Sequence, residues 1–155
     1  MEGPFPLPTI EMSDVHIRRA RSDDADRLAS LLTQLGYPAR PGDVPGRLSR
    51  MTTDDPRTTV FVAEQNGTVV GLVTAQIVHV LNRPSDVMWL TTLVVDETVR
   101  GSGVGRALVD AVAALGAESG CEWLSVTTHE RRNDAHAFYQ RIGFDLTGRR
   151  FGKSL

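Results

Sequence analysis

The stretch Val87–Gly105, VMWLTTLVVDETVRGSGVG, constrains the fold more than any other part of this chain. Its first half, Val87–Val95, is an apolar run of strand length. Its second half is an acidic turn, then Arg100 and glycines at 101, 103 and 105. Apolar residues then fall at Val104, Ala107, Leu108, Ala111, Val112 and Leu115, the spacing of one helix face. A strand that runs through a glycine loop into a helix leaves first-turn N–H groups without intrahelical partners. These groups aim at one spot, with the positive end of the helix dipole behind them. The result is an anion site suited to phosphates, and glycine serves there because a Cβ would hold the phosphate off and oppose positive φ. The same glycines also suit a plain strand-to-helix turn, so alone they leave both readings open.

Two common phosphate loops fit badly. A P-loop needs Gly-Lys followed by Ser or Thr, whereas Gly105 is followed by Arg106 and Ala107. A dinucleotide fingerprint needs G-x-G-x-x-G, whereas Gly101, Gly103 and Gly105 are spaced G-x-G-x-G. What fits is R-x-x-G-x-G, Arg100-Gly101-Ser102-Gly103-Val104-Gly105, directly after a strand ending Leu93-Val94-Val95-Asp96. This resembles the acetyl-CoA signature of the GCN5-related N-acetyltransferase (GNAT) family. Further on, Asn133-Asp-Ala-His-Ala-Phe-Tyr139-Gln-Arg-Ile-Gly143-Phe144 is similar to that family's N-x-x-A-x-x-F-Y-x-x-x-G-F element. The two elements stand in the family's order, and the resemblance spans roughly residues 15–155. The end of the chain is similar to that of bacterial aminoalkylphosphonate N-acetyltransferases, mostly in the shared coenzyme machinery.

At 155 residues, 41% of them hydrophobic, the chain can bury a core of its own. A net charge of −2 makes no electrostatic case for nucleic acid. The positive charge is almost all Arg, Lys153 being the only lysine. The single cysteine, Cys121, cannot form an intrachain disulfide and reads as a small core residue beside Trp123 and Leu124. No apolar run is long enough to span a membrane and no secretory leader is legible, so the cytoplasm is the expected compartment. No metal is assigned, and a homodimer is the candidate assembly.

Residues 1–13 carry Pro4, Pro6 and Pro8 without periodicity and read as a flexible tail before a single domain over 14–155. Val15–Arg19 alternates as a strand. Ser22 opens a helix as its N-cap, with Leu28, Leu31, Leu32 and Leu35 on the buried face, and a short helix follows over Val44–Met51. Thr59–Gln65 and Thr68–Val80 form a hairpin across Asn66-Gly67, a type I′ signal. After the glycine-loop helix come a strand over Glu122–Thr128 and a helix over Asn133–Ile142 stopped by Gly143. Phe144–Asp145 and Arg150–Lys153 are expected to finish the sheet. The fold class is α/β: a mixed, mainly antiparallel central sheet flanked by helices, which is also the order of the acetyltransferase family.

The resemblance implies acetyl transfer from acetyl-CoA to a primary amine, a small molecule in preference to a protein, by direct attack in a ternary complex. A non-catalytic acyl-CoA-binding module is the reading from another class. Amides of Arg100, Gly101, Ser102, Gly103, Val104, Gly105 and Arg106 are expected to hold the pyrophosphate, and the backbone of Leu93, Val94 and Val95 the pantetheine arm. Asn133 is expected to contact the coenzyme, or to serve as a plain N-cap. Tyr139 is the candidate general acid for the departing thiolate, although Ala135, Phe138, Tyr139 and Ile142 also read as one core face. Many relatives place a glutamate on the central strand, but Trp89-Leu-Thr-Thr92 carries no carboxylate. Amine deprotonation then falls to water, His79, His129 or Glu130. Arg40, Arg47, Arg50 and Arg57 either recognise an anionic group on the acceptor or form a solvated face.

Overall fold

The computed structural model describes residues 14–155, which form two compact units, one reaching to Ser125 and one from Val126 to Leu155. The expected tail at 1–13 lies outside the described residues.

The first unit is built on a sheet of strands β1 (Val15–Arg19), β2 (Thr58–Gln65), β3 (Thr68–Val78), β4 (Val87–Val95) and β5 (Trp123–Val126), in that spatial order. β1 to β4 pair antiparallel with their neighbours. The β2–β3 turn places Asn66 at φ 51 and Gly67 at φ 77, the two left-handed residues that a type I′ turn requires. Helices α1 (Ala25–Leu35) and α2 (Val44–Thr52) cover one sheet face, where Leu28, Leu31, Val44 and Leu48 pack with Val60, Val62, Leu72 and Val94. Helix α3 (Val104–Glu118) covers the other. There a Cβ on Gly71 would meet Leu108 Cδ1 at 2.9 Å, and one on Gly116 would meet Met88 Cβ at 3.1 Å. Both glycines let helix and sheet approach closely. Among the described residues no helix is long and apolar enough to cross a membrane.

α1 does not begin with a Ser22 N-cap. Ser22–Asp24 forms one 3₁₀ turn, and Asp24 Oδ2 accepts from the Arg21 N–H at 2.7 Å. Asp24 also takes both Arg18 guanidinium nitrogens, at 2.8 and 2.9 Å, while Arg18 Nε donates to Glu64. Asp24 is therefore committed to joining α1 to β1, which an exposed serine hydroxyl could not do.

β4 contains the irregularity that matters for the site. Thr92 pairs with Thr74 but Leu90 pairs with Ala75, so Thr91 is an extra residue, a β-bulge. Thr74 and Thr91 hydroxyls share a hydrogen bond at 2.6 Å, which satisfies the buried Thr74.

The second unit holds helix α4 (Asn133–Arg141), closed by Gly143 at φ 102. Phe144 N–H donates to Tyr139 O at 2.9 Å and Gly143 N–H to Gln140 O at 3.2 Å. With the Tyr139–Phe144 ring contact at 5.4 Å, this is a Schellman motif. The expected strands at Phe144–Asp145 and Arg150–Lys153 do not form. Leu146 and Phe151 are almost wholly exposed, and Gly148 and Gly152 interrupt a basic, non-alternating segment. Such a segment has no apolar face to bury and nothing to fix a register.

Candidate active site

The glycine loop begins at a buried carboxylate. Asp96, directly after β4, accepts from Thr98 Oγ1 at 2.6 Å, Thr98 N–H at 3.0 Å, Gln34 Nε2 at 3.1 Å and Arg27 Nη2 at 2.8 Å. Those bonds, the Thr98 pair foremost, hold its carboxyl well below the usual carboxylate range. Gln34 Oε1 in turn accepts the Glu97 N–H at 3.0 Å, and Arg27 Nε donates to Val69 O at 3.0 Å. α1 is thereby tied to the start of the loop. This residue was missed in the sequence, although Asp-x-Thr is the signature of a side chain capping its own turn.

Replacing Asp96 by Ala should cost about 3 kcal/mol, because it strands Arg27 and the turn's donors. The sign of the pH effect follows from the depressed folded pKa. The Asp96 contribution is full above an unfolded value of about 3.9 and is lost as pH falls toward the folded one. Denaturant melts of wild type and Asp96→Asn from pH 7 to pH 2 should show the wild type losing more of its stability below about pH 4. Parallel curves would refute the assignment.

Asp96 also fixes which way β4 presents its backbone. Its N–H donates to Val70 O on β3 at 2.8 Å. Backbone groups alternate along a strand, so Val94 also faces β3, while Leu93 and Val95 turn their N–H and C=O to the opposite side, that of β5. Arg100 Nε reaches Val95 O there at 3.2 Å. Val94, its side chain buried in the core, has no free group to offer a ligand and serves to hold the register. β5, at four residues, is too short to pair along all nine of β4. Part of that edge can accept an extended amide-bearing ligand as an added strand.

The edge leads into the anion cradle. Gly101 and Gly103 sit at φ 80 and 93, a region that disfavours any side chain, and a Cβ on Gly101 would meet nothing within 4 Å. The first helical bond across this turn is Ala107 N–H to Gly103 O at 3.0 Å. Val104, Gly105 and Arg106 therefore keep first-turn N–H groups without intrahelical acceptors. Ser102 Oγ is turned back to Val99 O, and Arg106 lies along the helix 3.9 Å from Asp110. The loop residues Arg100–Arg106 and the Leu93–Val95 edge come together in one unit, and their donors suit a diphosphate joined to an amide-bearing arm.

The other half of the expected set lies in the second unit. Tyr139 is buried, with Phe138 and Phe144 rings 5.2 and 5.4 Å away edge-on, and burial pushes its hydroxyl up to about 12 against the opposing charge of Arg132. Its phenol is therefore protonated throughout the neutral range. Asn133 is the first helical residue and is exposed. The capping position belongs to Arg132, and no side chain caps there, so the N-cap reading of Asn133 is corrected.

The candidate bases separate clearly. His129 Nδ1 accepts the Arg131 N–H at 3.2 Å and its carbonyl accepts His136 Nε2 at 3.1 Å. The lone pair of His129 is thus spent on a local turn. His79 Nδ1 lies 2.7 Å from Asp86 Oδ1 where β3 and β4 part. Of the four arginines, Arg40 pairs with Asp43 at 3.7 Å and Arg57 with Asp55 at 3.5 Å, while Arg47 and Arg50 are exposed on α2. Cys121 lines a cavity of about 200 Å³ between the end of α3 and β4–β5, with Met88, Gly116 and Trp123, and burial pushes its thiol up.

Known proteins resemble this chain in sequence and in fold. The family model for the acetyltransferase (GNAT) family matches residues 25–144. The aminoalkylphosphonate N-acetyltransferase of Salmonella typhimurium is 29% identical over 90% of both chains. An aminoglycoside N(6')-acetyltransferase type 1 of Stenotrophomonas maltophilia is 30% identical, over 86% of this chain and 88% of its own. Among solved structures, AAC(6')-Iy in complex with the bisubstrate analogue CoA-S-monomethyl-acetylneamine superposes with a TM-score of 0.78 at 24% identity, covering 92% of this chain and 99% of that one. A strand edge, a left-handed glycine loop and a match over most of the length converge: the chain belongs to the acetyltransferase (GNAT) family and is an acetyl-CoA-dependent N-acetyltransferase.

Proposed function

We propose that the acceptor is a primary amine on a small molecule and that it attacks acetyl-CoA directly within a ternary complex. The backbone edge of Leu93 and Val95, continuing into the cradle at Arg100–Arg106, carries this reading. The co-substrate supplies an acetyl thioester. Leu93 and Val95 pair with its amide-bearing arm, and N–H groups from Gly101 to Arg106 neutralise its diphosphate, with Asn133 offering a further polar contact. Tyr139 gives its proton to the departing sulfur, being kept in the donor form by burial. Direct attack is favoured over an acyl-enzyme because the Cys121 thiol is pushed away from its nucleophilic form. A small acceptor is favoured because both relatives that match nearly full length are named for small amines. Calorimetry with coenzyme A and thiol release over an amine panel test the reading together. Tight coenzyme binding without turnover of any small amine would overturn it.

No carboxylate on β4 can serve as a base, and the His129 lone pair is engaged in a local turn, so the amine proton leaves through water, or through His79 or Glu130. Alanine at His79, His129 or Glu130 should each lower kcat/KM by less than about tenfold. The rate should rise with pH as the neutral amine accumulates, with no fall from Tyr139 ionisation before about pH 11. A single variant that loses over a hundredfold together with the alkaline rise would name a dedicated base.

A further inference from the structure

Trp89 is placed unlike its neighbours in the strand. It lies in the middle of a central strand and is 39% exposed, between Met88 and Leu90, each 1% exposed. Its register partner is Gln76, itself opposite Thr58, so the three share one face of the sheet. Thr74, two residues from Gln76, is on that face too, and its hydroxyl bond brings the Thr91 hydroxyl to the same side. This is the face that α1 and α2 cover further along, at Val60, Leu72 and Val94. Trp89 lies outside the cluster those helices bury and keeps part of its surface open on this face, which forms a shelf.

The shelf is built to accept hydrogen bonds. Asp55 Oδ2 takes Gln76 Nε2 at 3.2 Å and Thr58 Oγ1 at 3.2 Å, while Asp55 Oδ1 takes the Arg57 N–H at 3.0 Å. The Arg57 N–H, with Thr58 and Gln76, holds the Asp55 carboxyl below its usual range, so this anchor stays ionised. With its amide nitrogen held by Asp55, Gln76 presents Oε1 the other way, and among the described residues no donor bonds that oxygen. An oriented amide oxygen, a threonine hydroxyl and a partly exposed indole together favour a cation. β4 then changes phase at Thr91 before reaching Leu93, so the shelf and the coenzyme edge occupy successive parts of one strand.

We infer that Trp89, Gln76 and Thr91 form a specificity subsite for a second ammonium group on the acceptor, placed a short aliphatic span from the amine that is acetylated. This rests on the small-amine acceptor proposed above and narrows it to small diamines and polyamines. Asp55 is a positioning residue: it acts through Gln76.

The full-length chain with acetyl-CoA should turn over hexamethylenediamine with a kcat/KM at least about tenfold above hexylamine, the loss of one cation–π contact and its hydrogen bond setting that scale. Aminoethylphosphonate should be poorer still. Trp89→Ala and Gln76→Ala should bring the diamine-to-monoamine ratio toward one through KM, with coenzyme affinity unchanged. Trp89→Phe should keep part of it, and Asp55→Asn should weaken it less than Gln76→Ala. Trp89 and Trp123 are the only tryptophans. In a Trp123→Phe background, diamine added to the coenzyme complex should therefore quench Trp89 fluorescence saturably, whether or not turnover follows. A preference for the phosphonate, a ratio that survives Trp89→Ala, or a Trp89 signal indifferent to diamine would each overturn the subsite. Quenching with no turnover of any amine would instead count against the small-amine acceptor reading alone.

Discussion

Replacing Gly103 by Val should raise the dissociation constant of coenzyme A by about ten- to a hundredfold, the loss expected when one or two charge-assisted hydrogen bonds of about 1.5–3 kcal/mol are broken. Gly103 sits at φ 93, where a β-branched side chain is strained, and immediately precedes the first-turn N–H groups of α3. Valine would tilt those donors and put two methyl groups where phosphate oxygens must come within hydrogen-bond distance. Calorimetry reads the affinity. A thermal melt, with Gly103→Ala as the gentler variant, separates lost binding from lost folding. Unchanged affinity in a folded Gly103→Val protein would remove the loop from coenzyme binding.

Tyr139→Phe should lower kcat by about 10²–10⁴-fold, the usual worth of a general acid, with little change in coenzyme affinity. Phenylalanine keeps the edge-on contacts with Phe138 and Phe144 and the Schellman closure of α4, so the fold should be undisturbed. The raised phenol pKa has two consequences of opposite sign. It keeps the proton in place at neutral pH, but it makes Tyr139 a weaker acid than a free phenol, which widens its gap to an ordinary thiolate. A thiolate held in the same dry environment is also more basic, which narrows the gap. Wild-type kcat in Tyr139→Phe, measured where chemistry limits the rate, would reduce Tyr139 to a packing residue.

Elements with strong local signals could be read from the chain. The Asn66-Gly67 turn, the Val87–Val95 strand, the α3 stripe and the Gly143 stop all appear at or within a residue or two of their expected places. α3 buries Val109 and Gly116 besides most of its expected face, while Leu115 is only half-buried. Features that depend on partners distant in sequence could not be read. Asp96 looks like any acidic turn residue until Arg27 and Gln34, more than 60 positions earlier, are brought to it. The Thr91 bulge is invisible because Trp89-Leu-Thr-Thr92 reads as unbroken strand. Whether one residue is extra depends on what β3 places opposite. The C-terminal strands failed for the reverse reason. Phe144, Phe151 and nearby Arg residues have strand-like composition, but composition without a buried face specifies no pairing. Asn133 illustrates a one-residue error with a chemical consequence, since a residue inside the helix start keeps its side chain free of capping.

The extra residue at Thr91 also bears on how such a chain can change over generations. In an unbroken strand, Leu90 and Thr92 would lie on the same face; across the bulge their partners Ala75 and Thr74 put them on opposite faces. Val87–Leu90 and Thr92–Val95 are therefore two independently phased segments joined by a hinge in register. Drift at Trp89 or its neighbours can reshape the proposed acceptor shelf without turning Leu93 or Val95 away from the β5 side. Deleting the extra residue Thr91 would close the bulge, leave Leu90 and Thr92 opposite Ala75 and Thr74 on their present faces, and cost only the hydroxyl partner of Thr74. Point substitution is one gradual route to change in this strand, and the bulge adds a second, because losing the Thr91 codon leaves every paired residue of β4 opposite its present partner.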